Sequence, residues 1–327
     1  MEKKGVIMNT TTIENSIKIL KENKDQWARL PIANKIEFIN QILGNLKKYA
    51  REWVNVAITN KQIDAKSPWV GEEWIASIWA LAAGLQGYKK TLTALSNGKL
   101  PKFKKIEKTS DGRIVIQIYP NNLIESLLLN GISAEVWMQK EVTFENLNDY
   151  IATFYKQEDP EGKVALVLGA GNVNSIAAYD TLYRMIAHGQ VVLLKMNPVN
   201  QYLTSVYNKI FEPFISSGYL QSVSGGADVG QYLTHHPHID EIHITGSSRT
   251  HDAIVYGTGE EGEKNRKNNN PILQKSITSE LGGVVPLIVL PGKWKESDIR
   301  YQAEKVVTSK LHNNGFNCIA TQVLILP

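Results

Sequence analysis

From Lys163 onward, short apolar runs alternate with helical segments, and this alternation restricts the possible folds more than any other feature of the chain. The runs are VALVLG, QVVLLKM, LQSVSG and EIHITG, separated by NSIAAYDTLYRMIAHG, LTSVYNKIFEPFISSG and VGQYLTHHP. Strands joined through helices pair in parallel, so the pattern predicts βαβ units in one sheet. Each helical segment closes on His-Gly, Ser-Gly or His-Pro, which are helix-stop signals.

The flanking regions have a different texture. Residues from Thr12 to Asn97 show helical spacing, broken near Leu30 to Ala33 and Asp64 to Gly71, where Pro31, Pro68 and Gly71 interrupt it. Trp74 and Trp79 fall at helical spacing among apolar residues and are expected in the core. GRIVIQIYP (Gly112 to Pro120) and SAEVWMQ (Ser133 to Gln139) predict an antiparallel hairpin. The apolar run from Leu123 to Ile132 fits a path for a hydrophobic tail and core packing equally. Asp159-Pro160-Glu161-Gly162 closes a mixed linker with strong turn chemistry. YGTGEEGEKNRKNNNPIL, between Val255 and Gln274, predicts a mobile surface loop. Beyond it, VVPLIVLP and QVLILP supply two strands joined by a helix in ESDIRYQAEKVVTSKLHNNG.

Composition excludes several function classes. The 36 basic and 32 acidic residues are scattered rather than gathered in a stripe, so a nucleic-acid partner gets no support. No stretch reaches the roughly 18 apolar residues of a membrane span. Lys3 and Lys4 are not followed by the apolar run of a signal peptide, so a cytoplasmic location is expected. The single cysteine rules out an intrachain disulfide and a cysteine-rich metal site. Five of the seven histidines, His235, His236, His238, His243 and His251, lie within 17 positions. They straddle a helix end and a strand, so their side chains are not expected to converge on a metal.

Five segments carry possible chemistry. Gly169-Ala170-Gly171-Asn172-Val173-Asn174-Ser175 is a glycine-bearing strand-to-helix turn whose backbone N–H groups can face an anion, although it lacks the third glycine of the usual dinucleotide fingerprint. Asn172 and Asn174 fit helix caps or left-handed turn residues as well. Lys195 ends a strand, where it can reach ribose hydroxyls or stand as a solvated charge. Thr245-Gly246-Ser247-Ser248 opens a helix, so its hydroxyls suit a phosphate or the orphan N–H groups of that helix. Glu280 precedes Gly282-Gly283; burial there would raise its pKa and suit it as a base, whereas a surface position would leave it an ordinary turn glutamate. Cys318 follows a polar turn, HNNGFN, and is either a small buried hydrophobe or a reactive thiol.

In order and approximate spacing these segments resemble the signature of the aldehyde dehydrogenase superfamily. The resemblance is close over the second half of the chain and loose over the first. AGNVN stands where the family has Pro-Trp-Asn-Phe-Pro, LKMNP at its Lys-Pro segment, ITGSS at Phe-Thr-Gly-Ser, SELGG at Glu-Leu-Gly-Gly, and NNGFNC at the nucleophile segment. Lys195 follows Asn172 by 23 positions, close to the family interval. The resemblance implies that Cys318 is the nucleophile, Glu280 the general base and Asn172 the side-chain donor of the oxyanion hole. It also implies that Lys195, Gly226, Gly246 and Ser247 hold NAD or NADP.

The fold so implied is α/β: a Rossmann-type parallel sheet with an N-terminal helical layer and an incomplete second α/β catalytic lobe. Its parts are an N-terminal helical part of the cofactor-binding domain (1–110), a hairpin and linker (111–162), a Rossmann-type domain (163–281) and the start of a catalytic domain (282–327). The implied reaction is NAD(P)-dependent oxidation of an aldehyde. Reduction of a long-chain acyl-CoA or acyl group is an alternative, because AGNVN lacks tryptophan and looks more like the acyl-CoA reductases of bacterial bioluminescence and related long-chain systems. A third alternative is an inactive fragment that binds nucleotide or a partner chain. Pro198 and Val199 stand where NAD-preferring members carry an acid, so NAD is favoured only weakly. The family's catalytic domain continues well past the nucleophile, whereas Pro327 is nine residues beyond Cys318. A truncated frame or half of a split protein is therefore expected, and a homo-oligomer if the protein is complete.

Overall fold

The computed structural model describes residues 10–120, 122–128 and 130–327. The segment holding Lys3 and Lys4 lies outside the described residues, as does Leu129 of the apolar run. Five strands, β4 (Val164–Leu168), β5 (Val191–Lys195), β6 (Leu220–Val223), β7 (Glu241–Gly246) and β8 (Ser276–Leu281), form one sheet in the order β6-β5-β4-β7-β8. Every pairing in it is parallel. The chain runs outward from β4 to β6 and then returns to the other side of β4. This reversal opens a crevice beyond the carboxyl ends of β4 and β7, the position where open α/β sheets bind ligands. All residues of β4 and β5 are buried, the burial that continuous apolar strands acquire when helices cover both faces.

The N-terminal helices Thr10–Ala28 and Ile32–Asn60 join this sheet in one core. The Trp27 ring meets Phe214 edge-on at 5.5 Å, and its indole N–H donates to the Met185 carbonyl at 3.1 Å. Beside it Lys35 is fully enclosed, its ammonium 5.0 Å from the Trp27 ring and 4.9 Å from Phe154. Burial pushes its pKa down to about 8.

A third helical stretch begins at Val70–Glu73, continues as a π-helical turn over Trp74–Trp79 and runs on through Ala80–Ser96. The wide turn inserts residues into the 3.6-residue repeat and rotates the apolar stripe. Trp79 is consequently 54% exposed, against the core position expected for it.

β1 (Ile106–Lys108), β2 (Ile114–Tyr119) and β3 (Ala134–Trp137) form a three-stranded antiparallel sheet with its own small core of Ile114, Ile116, Val142 and Leu147. Leu123, Ile124 and Leu127, between β2 and β3, are exposed, so core packing does not account for that run.

The segment expected as a mobile loop contains a helix, Gly259–Lys267. It is polar all round, so no hydrophobic period reveals it. Its charges are nevertheless ordered, with Glu260 and Glu261 in the first turn and Lys264, Arg266 and Lys267 in the last, as the helix dipole favours.

β9 (Val285–Ile288) and β10 (Thr321–Ile325) pair in parallel as a separate two-stranded sheet, connected through helix Glu296–Leu311. Among the described residues no helix is long and apolar enough to cross a membrane.

Candidate active site

A cleft of about 1090 Å³ opens at the carboxyl edge of the main sheet. Gly171 and Asn172 line it from the turn after β4, Lys195 from the end of β5, and Gly226 from the turn after β6. Gly246 and Ser247 line it from the end of β7, Glu280 from β8, and Cys318 from the turn before β10. All seven residues singled out from the sequence therefore reach a single cavity, bounded by the carboxyl edge of the main sheet and the turn before β10.

The cleft's groups are prepared differently. Lys195 is 8% exposed rather than solvated, and its ammonium makes no hydrogen bond or ion pair among the described residues. Burial holds its pKa below the usual lysine value, with the Asp228 carboxylate opposing part of that shift. Gly225, with φ 155°, turns the chain so that Gly226 caps helix Ala227–His235, whose first residue also lines the cleft. A β-carbon at Gly225 would meet the Val229 side chain at 2.3 Å, so the close approach requires glycine. Ser247 is the N-cap of helix Ser248–Tyr256, its Oγ accepting from Thr250 N–H at 3.1 Å.

Asn172 keeps its side-chain amide free of protein partners among the described residues, and its carbonyl accepts from Asn313 Nδ2 at 3.3 Å. Cys318 is half-buried, with Sγ 3.6 Å from Asn317 Oδ1. Glu280, paired with Thr245 in the β7–β8 register, is exposed.

His236 and His238 lie together, their rings 5.6 Å apart, and other histidines have separate partners. His235 bonds back to Gln231, His236 faces Glu14, and His243 lies between Thr278 and Asp180. Among the described residues no three His, Cys, Asp or Glu side chains form a metal-holding group.

Sequence reasoning passed over a polar cluster that joins the helical layer to both loops of the cleft. Lys61 Nζ bonds Glu73 Oε1 at 2.5 Å and Asn313 Oδ1 at 2.8 Å. Asn174 Nδ2 donates to the other Glu73 oxygen at 2.8 Å and is held in turn by Tyr202 OH at 3.0 Å. Glu73 is buried, so this pairing is what makes its charge tolerable. The available signal was the acidic pair Glu72-Glu73 in a first helical turn, a pattern that otherwise reads as a helix start.

The model of the aldehyde dehydrogenase family matches residues 131–327. The chain belongs to that family. Aminoaldehyde dehydrogenase 1, peroxisomal, of Pisum sativum is 25% identical over 315 residues, which cover 92% of this chain and 57% of the relative. A lactaldehyde dehydrogenase of Methanococcus maripaludis is 28% identical over 204 residues, 60% of this chain and 40% of the relative. The chain thus spans about half the length of the curated relatives it matches. Among solved structures, an NADP-dependent glyceraldehyde-3-phosphate dehydrogenase from Bacillus halodurans complexed with NADP superposes with TM-score 0.60 at 16% identity, covering 97% of this chain and 54% of that one. An aldehyde dehydrogenase from Bartonella henselae gives TM-score 0.59 at 16% identity, covering 97% and 52%. These likenesses bear on the fold, and they agree with a Rossmann-type sheet bearing an N-terminal helical layer.

Proposed function

We propose that this protein oxidises an aldehyde with NAD or NADP, through Cys318 as nucleophile. The observation that carries the reading is the shared cleft: the chain's only cysteine and Asn172 line the same cavity as a buried lysine whose ammonium makes no hydrogen bond or ion pair among the described residues. Lys195 and the helix N-termini at Gly226 and Ser247 suit the ribose and phosphates of a dinucleotide, because a desolvated cation without a protein acceptor favours an oxygen-rich ligand. When bound, the nicotinamide supplies the two-electron oxidant that converts the aldehyde level to the acyl level.

The chain's own groups do the rest. Cys318, as thiolate, forms the S–C bond to the carbonyl carbon. The oxyanion that develops is held by Asn172 Nδ2 and the Cys318 backbone N–H. Glu280 takes a proton from the water that displaces the thiol from the resulting thioester, releasing the carboxylic acid.

A second reading is reduction of an acyl thioester to the aldehyde, and the exposure of Glu280 favours it. That direction needs no activated water, so a glutamate left in solvent loses nothing.

The test is the Cys318→Ala variant assayed with short- and long-chain aldehydes and either cofactor. Reduction of the cofactor should fall to the no-enzyme background. Full activity in the variant would falsify the mechanism. Running the same assay from acyl-CoA and reduced cofactor separates the two directions.

A further inference from the structure

The loop carrying Cys318 is tied to the helical layer by a chain of hydrogen bonds whose directions are fully determined. After helix Glu296–Leu311 the backbone coils through His312–Gly315, with Asn313 at φ 50° and Asn314 at φ 54°. Asparagine tolerates this left-handed conformation better than other side chains with a β-carbon. The coil carries His312 to the start of the Val70–Glu73 helix, where its Nε2 lies 3.2 Å from Glu72 Oε1. The same oxygen accepts the Asn313 backbone N–H. On the other side of the ring, His312 Nδ1 lies 2.6 Å from Asn317 Nδ2. Asn317 Oδ1 accepts the Ile319 N–H at 3.1 Å and faces Cys318 Sγ at 3.6 Å.

Each link fixes the next. A backbone N–H donates only to an acceptor, so the atom facing Ile319 is the amide oxygen. Nδ2 therefore points at the imidazole and donates to Nδ1. Nδ1 is then unprotonated, and the ring proton sits on Nε2, where the Glu72 carboxylate receives it. The sulfur consequently meets a carbonyl oxygen rather than an N–H.

We propose that Glu72 and His312 are positioning residues for Cys318: by fixing the His312 tautomer they orient the Asn317 amide that faces the sulfur. The proposal rests on Cys318 being the nucleophile of the reaction above. Glu72 and Asn317 thus hold the ring from its two sides, and the Ile319 N–H keeps the amide oxygen at the sulfur.

The chain has one cysteine, so alkylation by iodoacetamide, followed by intact mass, reads Cys318 alone and needs neither substrate nor cofactor. His312→Gln keeps a donor and an acceptor, so its alkylation rate should stay within about twofold of the native rate. His312→Leu, by freeing the Asn317 amide, should raise the rate about fivefold, the worth of one neutral hydrogen bond. Glu72→Gln preserves shape but can face the ring with either a donor or an acceptor, so it should raise the rate by a smaller factor, about twofold. A merely structural role would not separate His312→Gln from His312→Leu. Equal rates for the native chain, His312→Gln and His312→Leu overturn the proposal. Because the readout is alkylation, that failure is distinct from retained activity in Cys318→Ala, which removes the nucleophile reading alone.

Discussion

The two parallel sheets of this protein are built from similar sequence and end in different states. β4 and β5 are apolar strands, entirely buried, and helices from both halves of the chain close over the sheet they occupy. β9 and β10 are also apolar and also parallel, with a helix between them, yet most of their residues are exposed. Helix Glu296–Leu311 has no buried residue. Secondary structure thus forms from local pattern in both regions, whereas stability depends on what covers the pattern.

The contrast sharpens most in the core. Leu193→Ala in β5 removes a fully buried side chain and should cost about 2–5 kcal/mol in urea unfolding. Leu324→Ala in β10 should cost under about 0.5 kcal/mol, since its side chain already meets solvent. Equal costs would mean that the second sheet is covered in solution.

Glu73→Ala probes the link between the regions. It takes the carboxylate from Lys61, leaves the Asn174 amide without its acceptor, and should cost about 2 kcal/mol. A cost near zero would show that the helical layer and the cleft are energetically separate.

A smaller effect than at Glu73 is expected at Lys35. Its folded pKa of about 8 lies below the usual 10.5, so the folded state releases its proton first and stability rises with pH between those values. Below about pH 8 the buried charge is a standing penalty, partly offset by the aromatic faces around it. Lys35→Met should therefore add about 1 kcal/mol at pH 7 and flatten the rise. Urea titrations of both chains at pH 7 and pH 10 check both signs.

Much of the architecture was legible because one period dominates each segment. VALVL and VVLLK have no polar face to offer solvent, so only a sheet covered on both sides accommodates them. Helix Gly259–Lys267 was hidden for the opposite reason: with no apolar stripe, only charge order marks it. Lys195 was legible in position but not in environment, since a strand-end lysine reads the same whether buried or solvated. Glu280 left both environments open in the same way, and it lines the cleft while remaining exposed. The cluster at Lys61, Glu73 and Asn313 could not be read from local pattern, because its members lie as far as 252 positions apart and meet only when the last loop folds back over the first helices.

The aromatic box around Lys35 has a practical corollary. An amine-directed reagent reaches surface lysines at once, whereas this one is shielded by Trp27, Phe154 and Tyr155. Its labelling would therefore act as a clock for opening events in which the helical layer parts from the sheet.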